Sequence, residues 1–209
     1  MLHRGDDKIA TVLADYIQQL FSTADLNRVE DVVGFTDRCF TEEMNSALIA
    51  DFSKIEVEGA LKQMAPQKAS GLDGMPLIFF HHYWSSIGDD VVKAILSCLN
   101  SGQILPGLNH TLLTLILKVK CPDKVTDFWP FALCNILYKL VSKVLANKLK
   151  RILPQLILES QSAFQSDKAI LDNILVAFEM LHHMKTKKLR KKGHLALKLD
   201  MSKVYDRVE

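Results

Sequence analysis

Apolar residues first recur at helical spacing between Ile9 and Phe21, where Val12, Leu13, Tyr16, Ile17 and Leu20 form one stripe and predict a helix. Ser22 to Asp37 mixes polar and apolar residues without a period and reads as irregular. Thr41-Glu42-Glu43-Met44 opens a second helix. Ser53-Lys54-Ile55-Glu56 is a capping box, in which the hydroxyl accepts from the third amide and the glutamate reaches back, so a helix should run from there to Met64. The stretch Ala65 to Pro76 (APQKASGLDGMP) breaks every period with glycines and prolines and predicts a loop. Helices follow over Leu77 to Trp84 and Asp89 to Leu99, the second with acids suited to a helix start and a stop at Gly102. Thr111 to Val119 is apolar and β-branched and predicts a buried strand, followed by a loop from Cys121 to Pro130. Leu133 to Leu153 predicts a long amphipathic helix with Lys139, Lys143, Lys148 and Lys150 on its polar side, interrupted at Pro154. Asp172 to Met184 predicts a last helix and His194 to Leu199 a strand. Helices outnumber strands and separate them, so the expected class is α+β, helix-rich.

At 209 residues the chain is long enough for a substantial core, and 48% hydrophobic with 24% charged residues describes a globular protein. A net charge of +2 is too small to argue nucleic-acid binding, but its distribution is uneven. Lys185 to Lys192 (KTKKLRKK) holds six basic residues in eight, which taken alone reads as a solvated loop or helix end. The four cysteines, Cys39, Cys98, Cys121 and Cys134, lie far apart without a C-x-x-C pair. That excludes the usual zinc and disulfide patterns and fits a reducing compartment. The charged start lacks the apolar core of a signal peptide, and no stretch has the length of a membrane span. The chain reads as soluble and intracellular with no membrane partner, nucleus or cytoplasm unresolved. The oligomeric state is open.

Candidate chemistry concentrates at the last segment. Asp200 ends the predicted strand in Leu195 to Glu209 (LALKLDMSKVYDRVE), where a hard cation such as Mg²⁺ would want a carboxylate. Two-metal nucleotidyl transfer needs a second acid, and Asp206 is the only neighbour in sequence. Equally, Asp200 could simply cap the strand and start a turn. Lys68, beside glycines in the 65–76 loop, could meet a phosphate, but the loop lacks the spacing of a P-loop. The adjacent histidines at 81–82 and 182–183 point in different directions on a helix and make poor metal sites.

Five segments in order carry a resemblance: KASGLDGMP, GLNHTLLTLILKVK, VTDFWPFALCNILYKLVSKVLANKLKRILP, ESQSAFQSDKAILDNILVAFEMLHHMKTK and LALKLDMSKVYDRVE. Together they resemble the reverse transcriptase domain of plant LINE-type, non-LTR retrotransposons, from about Thr41 to the end. The first forty residues resemble, more weakly, the spacer ahead of that domain. The resemblance implies residues 1–40 as a helical extension and 41–209 as the fingers and first palm strand of a right-hand polymerase. It implies Asp200 as the first metal-binding aspartate, with Mg²⁺ as cofactor. Tyr205 would pack on the sugar of the incoming nucleotide, and the backbone of Lys203 and Val204 would approach its triphosphate. RNA template, DNA primer and dNTP are the implied partners. Lys185, Lys187, Lys188, Arg190, Lys191 and Lys192 then gain a reading as a loop that meets template or primer phosphates.

Departures from the family pattern matter. Phe128-Trp129-Pro130-Phe131-Ala132 stands where the family has Phe-Arg-Pro-Ile-Ser, and tryptophan cannot supply the arginine's cationic fork. Ile116-Leu117-Lys118 replaces Ile-Pro-Lys, and Ser166-Asp167-Lys168 replaces Pro-Gly-Arg. Val204 replaces an alanine beside the nucleotide. The family's Tyr-Ala-Asp-Asp hairpin would lie beyond Glu209. The resemblance therefore implies a fragment of an RNA-directed DNA polymerase that is inactive alone. Two other readings stay open: a non-catalytic RNA- or DNA-binding fingers module, and a decayed gene product without function.

Overall fold

The structure is a computed structural model that describes residues 6–22, 39–157, 161, 169–186 and 195–197. Its contacts divide the chain into two units, Cys39–Leu156 on one hand and Met1–Arg38 with Ile157–Glu209 on the other. The fold is the expected helix-rich α+β, with one two-stranded sheet among the described residues.

In the Cys39–Leu156 unit, helix α2 (Glu42–Ile49) follows Thr41, whose hydroxyl accepts from the amide of Met44. Helix α3 (Lys54–Gln63) opens on the expected capping box: the Ser53 amide donates to Glu56 Oε2 at 2.9 Å, and Ser53 Oγ accepts from the Glu56 amide. After the 65–76 loop come α4 (Leu77–His82) and α5 (Trp84–Ser101). Helix α5 ends at Gly102, whose φ of 69° is the left-handed conformation that glycine adopts most readily. It begins five residues earlier than expected, so Asp89 and Asp90 lie in its interior instead of its first turn. Asp89 there binds Lys54 of α3 at 2.7 Å.

Strands β1 (Thr111–Leu117) and β2 (Phe128–Cys134) pair antiparallel, from Thr111 opposite Cys134 to Leu117 opposite Phe128. Two expectations fail here. Residues 128–130 belong to a strand, not to a loop, and β1 is mostly exposed instead of buried. With a single partner strand each among the described residues, β1 and β2 are edges there, which is the position that tolerates Pro130 opposite Leu115. The long helix α6 (Ile136–Lys150) consequently starts at Ile136, three residues after the expected Leu133, with Asn135 as its N-cap, and a short helix α7 (Leu153–Leu156) carries Pro154 in its first turn.

The core of this unit is formed by α3, α4, α5 and α6. Val57, Ala60 and Leu61 of α3 meet Leu77 and Phe80 of α4, Val91, Val92, Ile95 and Cys98 of α5, and Ile136, Leu140, Val141 and Val144 of α6. The i, i+4, i+8 recurrence of Ile136, Leu140 and Val144 makes the stripe of α6 that the periodicity predicts. Each fully buried aliphatic side chain contributes about 1.5–3 kcal/mol relative to exposure.

The second unit contributes helix α1 (Asp6–Leu20) and helix α8 (Ile170–Thr186), each longer than expected by a few residues. Residues 195–197, the described part of the expected last strand, are exposed and join no strand. A strand requires a ladder partner, and residues 195–197 have none among the described residues.

Candidate nucleic-acid interface

Asp200, Lys203, Val204 and Tyr205 lie outside the described residues, as do Lys187, Lys188, Arg190, Lys191 and Lys192. Lys185 is described: it is exposed in the last turn of α8, where a cation complements the carbonyl end of the helix. No group of three His, Cys, Asp or Glu side chains that could hold a metal ion occurs among the described residues. The histidines at 81–82 and 182–183 form no such group either. Among the described residues no helix is long and apolar enough to cross a membrane.

The β1–β2 hairpin brings together the two departures at Leu117-Lys118 and Trp129. Lys118 follows β1 directly, and its amide donates to the Asp127 carbonyl at 2.8 Å. Its ammonium donates to the Thr126 carbonyl at 2.8 Å and lies 4.2 Å from the centre of the Trp129 ring. A cation over an indole face is attracted by the negative face of the ring. Trp129 opposes Ile116 and Phe131 opposes Thr114. Period-two alternation puts Trp129 and Phe131 on one face, where both are more than half exposed. Asp127 folds the turn, its Oδ2 accepting from the amides of Asp123 and Lys124.

The glycine-bearing loop 65–76 docks on the start of α6. A Cβ on Gly71 would fall 2.3 Å from Asn135 Oδ1 and 2.5 Å from the Asn135 amide nitrogen. Only glycine permits that approach. Asn135 is buried, and its Nδ2 donates to the Gly107 carbonyl at 3.3 Å, tying in a third segment. Lys139 Nζ donates to the Ala69 carbonyl at 2.6 Å, so a lysine of α6 fixes the loop. Lys68 itself is exposed and its side chain is not gathered into a phosphate cradle by the loop.

Lys148 overturns the expectation of a polar side. It is 6% exposed, donates to the Ala50 carbonyl and places its ammonium 3.7 Å from the centre of the Phe52 ring. Near it, Glu56 pairs with Arg151 at 3.4 Å. Burial pushes the Glu56 carboxyl up, but the Ser53 amide and hydroxyl with Arg151 and Lys148 outweigh it and hold it below the ordinary value. An open cleft of about 470 Å³ lies between α3 and α6, lined by Ile55, Glu56, Gly59, Gln63, Asn147 and Lys150 among others. Sequence reasoning missed the roles of Lys148 and of the Lys118–Trp129 pair. For Lys148 a signal existed: it lies four residues after Val144 on the buried stripe.

Two comparisons with known proteins bear on the chain. Residues 119–209 match the family model described as reverse transcriptase (RNA-dependent DNA polymerase). The chain is also 29% identical over 154 residues to the Transposon TX1 uncharacterized 149 kDa protein of Xenopus laevis. That alignment covers 74% of this chain and 12% of the relative's length.

Proposed function

We propose that the chain is a fragment of an RNA-directed DNA polymerase, a reverse transcriptase of a non-LTR retrotransposon, within which residues 41–209 supply the fingers and the first palm strand. Residues 1–40 are the extension ahead of it. The observation that carries this reading is the match of residues 119–209 to the reverse transcriptase family, supported by the similarity to a transposon protein over three quarters of the chain. The plant LINE lineage rests on the order of the sequence motifs.

In this reading the chemistry is two-metal nucleotidyl transfer, for which bound Mg²⁺ would supply stabilisation of the developing negative charge. Asp200 is the metal ligand that residues 1–209 supply, and Tyr205, Val204 and Lys203 face the incoming dNTP. RNA template and DNA primer would be held through phosphate contacts by the Lys185–Lys192 run. Residues 1–209 carry no Tyr-x-Asp-Asp sequence, so by themselves they are proposed to bind primer–template without extending it.

The test joins binding to extension. An RNA template annealed to a DNA primer should bind the chain with affinity that falls steeply with salt, and with Mg²⁺ and dNTPs the primer should stay unextended. Extension abolished by Asp200→Ala would overturn the inactivity and leave the polymerase reading standing. Failure to bind any nucleic acid would overturn the reading itself and favour a decayed product.

A second reading, a non-catalytic nucleic-acid-binding module, draws on the Lys118–Trp129 pair, because a cation and an exposed aromatic together suit a strand without requiring a metal. It differs in one outcome: no addition of palm sequence would restore extension.

A further inference from the structure

We infer that the Trp129/Phe131 face of the β1–β2 hairpin is a stacking platform for an unpaired nucleic-acid strand, with Lys118 placed to take the adjoining phosphate. The inference rests on the nucleic-acid reading above and names a site within it.

Trp129 is 56% exposed and Phe131 52% exposed, on one face of a strand whose two-residue repeat is about 6.6 Å. Bases in a strand stack about 3.4 Å apart, so two exposed rings at that repeat lie within reach of neighbouring bases of one strand. Cross-strand Ile116, 48% exposed, continues the same apolar floor. Exposed aromatics on a sheet face serve bases of any identity, since every base offers a π-face.

Charge decides between occupants. Lys118, Lys120 and Lys124 surround this end of the hairpin, and none of the three is in an ion pair among the described residues. Two acids share this turn, the exposed Asp123 and Asp127, whose Oδ2 accepts from two backbone amides, so the three lysines leave a net positive charge of one. The Lys118 ammonium is held in place by the Thr126 carbonyl and the Trp129 ring. An ammonium carries three donors, and one carbonyl leaves others for a phosphate oxygen. An apolar face bordered by three lysines, of which Lys118 is held in place, suits a polyanion with aromatic bases better than a second copy of a hairpin with the same net positive charge.

Binding of the whole chain to a 12-nucleotide oligo(rA) strand, followed by tryptophan fluorescence and by anisotropy, tests the site. The chain has two tryptophans, Trp84 and Trp129, so Trp84→Phe isolates the Trp129 signal. Oligo(rA) should quench that signal, whereas an abasic strand of the same length should bind without quenching. Trp129→Ala should weaken oligo(rA) binding roughly 5- to 100-fold with little change in salt slope. Trp129→Phe, which keeps a ring, should restore most of it and guards against loss of folding. Lys118→Gln should lower the salt slope by about one phosphate contact. Equal affinity for the abasic strand, or unchanged affinity in Trp129→Ala, would overturn the platform. So would a dimer in light scattering that Trp129→Ala dissolves, since a second copy would then own the face. If the platform fails while salt-dependent primer–template binding persists, the polymerase reading survives; if no strand binds, that reading falls.

Discussion

The ammonium of Lys148 lies 3.7 Å from the centre of the Phe52 ring and donates to the carbonyl of Ala50, joining the end of α6 to the turn before α3. A buried lysine without partners would be costly, and here the ammonium meets a carbonyl and a ring face. Lys148→Met keeps the stem and removes the charge. It should cost about 1–3 kcal/mol, from the lost charged hydrogen bond and ring contact. For a chain of this size that is a fall of roughly 2–4 °C in Tm per kcal/mol. A double-mutant cycle with Phe52→Leu in urea unfolding should give a coupling of about 0.5–2 kcal/mol. Additive single effects would show that the ring contact contributes nothing.

Gly71 and Gly59 should respond to alanine in opposite directions. At Gly71 the new methyl meets backbone and side chain of Asn135 at 2.3–2.7 Å, so the loop must lift from α6. Overpacking of that kind typically costs about 1–3 kcal/mol, and loosening of the loop should also release the Lys139–Ala69 contact. At Gly59, inside α3, nothing lies within 4 Å of the added Cβ. Gly59→Ala should stabilise by roughly 0.5–1 kcal/mol through helix propensity. Thermal unfolding of both variants checks the pair, and a stable Gly71→Ala would contradict the close docking.

These features show which parts of the molecule were legible in the sequence. The Ser53 capping box and the stop at Gly102 are set within four residues, so local chemistry predicts them. Strand β2 was not legible, because FWPFALC has no clean alternation and Pro130 argues against a strand; its pairing with β1 is what forms it. The exposure of β1 was hidden for a similar reason: an apolar run says that a strand is sticky, not what covers it. Lys148 looked solvated because lysines usually are, while its partners Ala50 and Phe52 lie almost one hundred residues earlier. Asp89 looked like a first-turn acid until α5 began at Trp84. For the candidate site, Asp200 and Tyr205 rest on family resemblance and lie outside the described residues, and the pairing of Lys118 with Trp129 needed the hairpin register.

The Lys54–Asp89 contact links α3 to α5 at 2.7 Å, with both side chains more than half exposed. A hydrogen bond and charge from Asp89 raise the Lys54 ammonium, and the same contact lowers the Asp89 carboxyl. Exposed pairs of this kind are weak and screened by salt. Asp89→Asn should lower Tm slightly at low ionic strength, and the difference from the parent chain should vanish near 1 M NaCl, where the screening length is about 3 Å. A deficit that persists in high salt would mean that the contact acts through packing and not through charge.

Glu56 should make the stability of the chain depend on acid. Burial raises its carboxyl, yet the Ser53 amide and hydroxyl, then Arg151 and Lys148, lower it further than burial lifts it. Its folded value therefore lies below the unfolded one, which is about 4.3 for a glutamate. A group shifted in that direction stabilises the fold fully above its unfolded value, and the contribution disappears as pH falls through the folded value. The comparison to make is the parent chain against Glu56→Gln, which keeps the shape of the capping residue but not the charge. Between pH 6 and 8 the parent should be more stable by a constant margin, since no titration of Glu56 occurs there. Below about pH 5 the margin should shrink, and at acid pH the two chains should converge. Ser53→Ala should remove part of the margin and about 1 kcal/mol of stability at neutral pH, as the loss of a helix cap does. Urea midpoints measured across the pH series decide it: a margin that stays flat into acid would mean that the cap acts through its geometry alone, with the Arg151 and Lys148 charges contributing nothing.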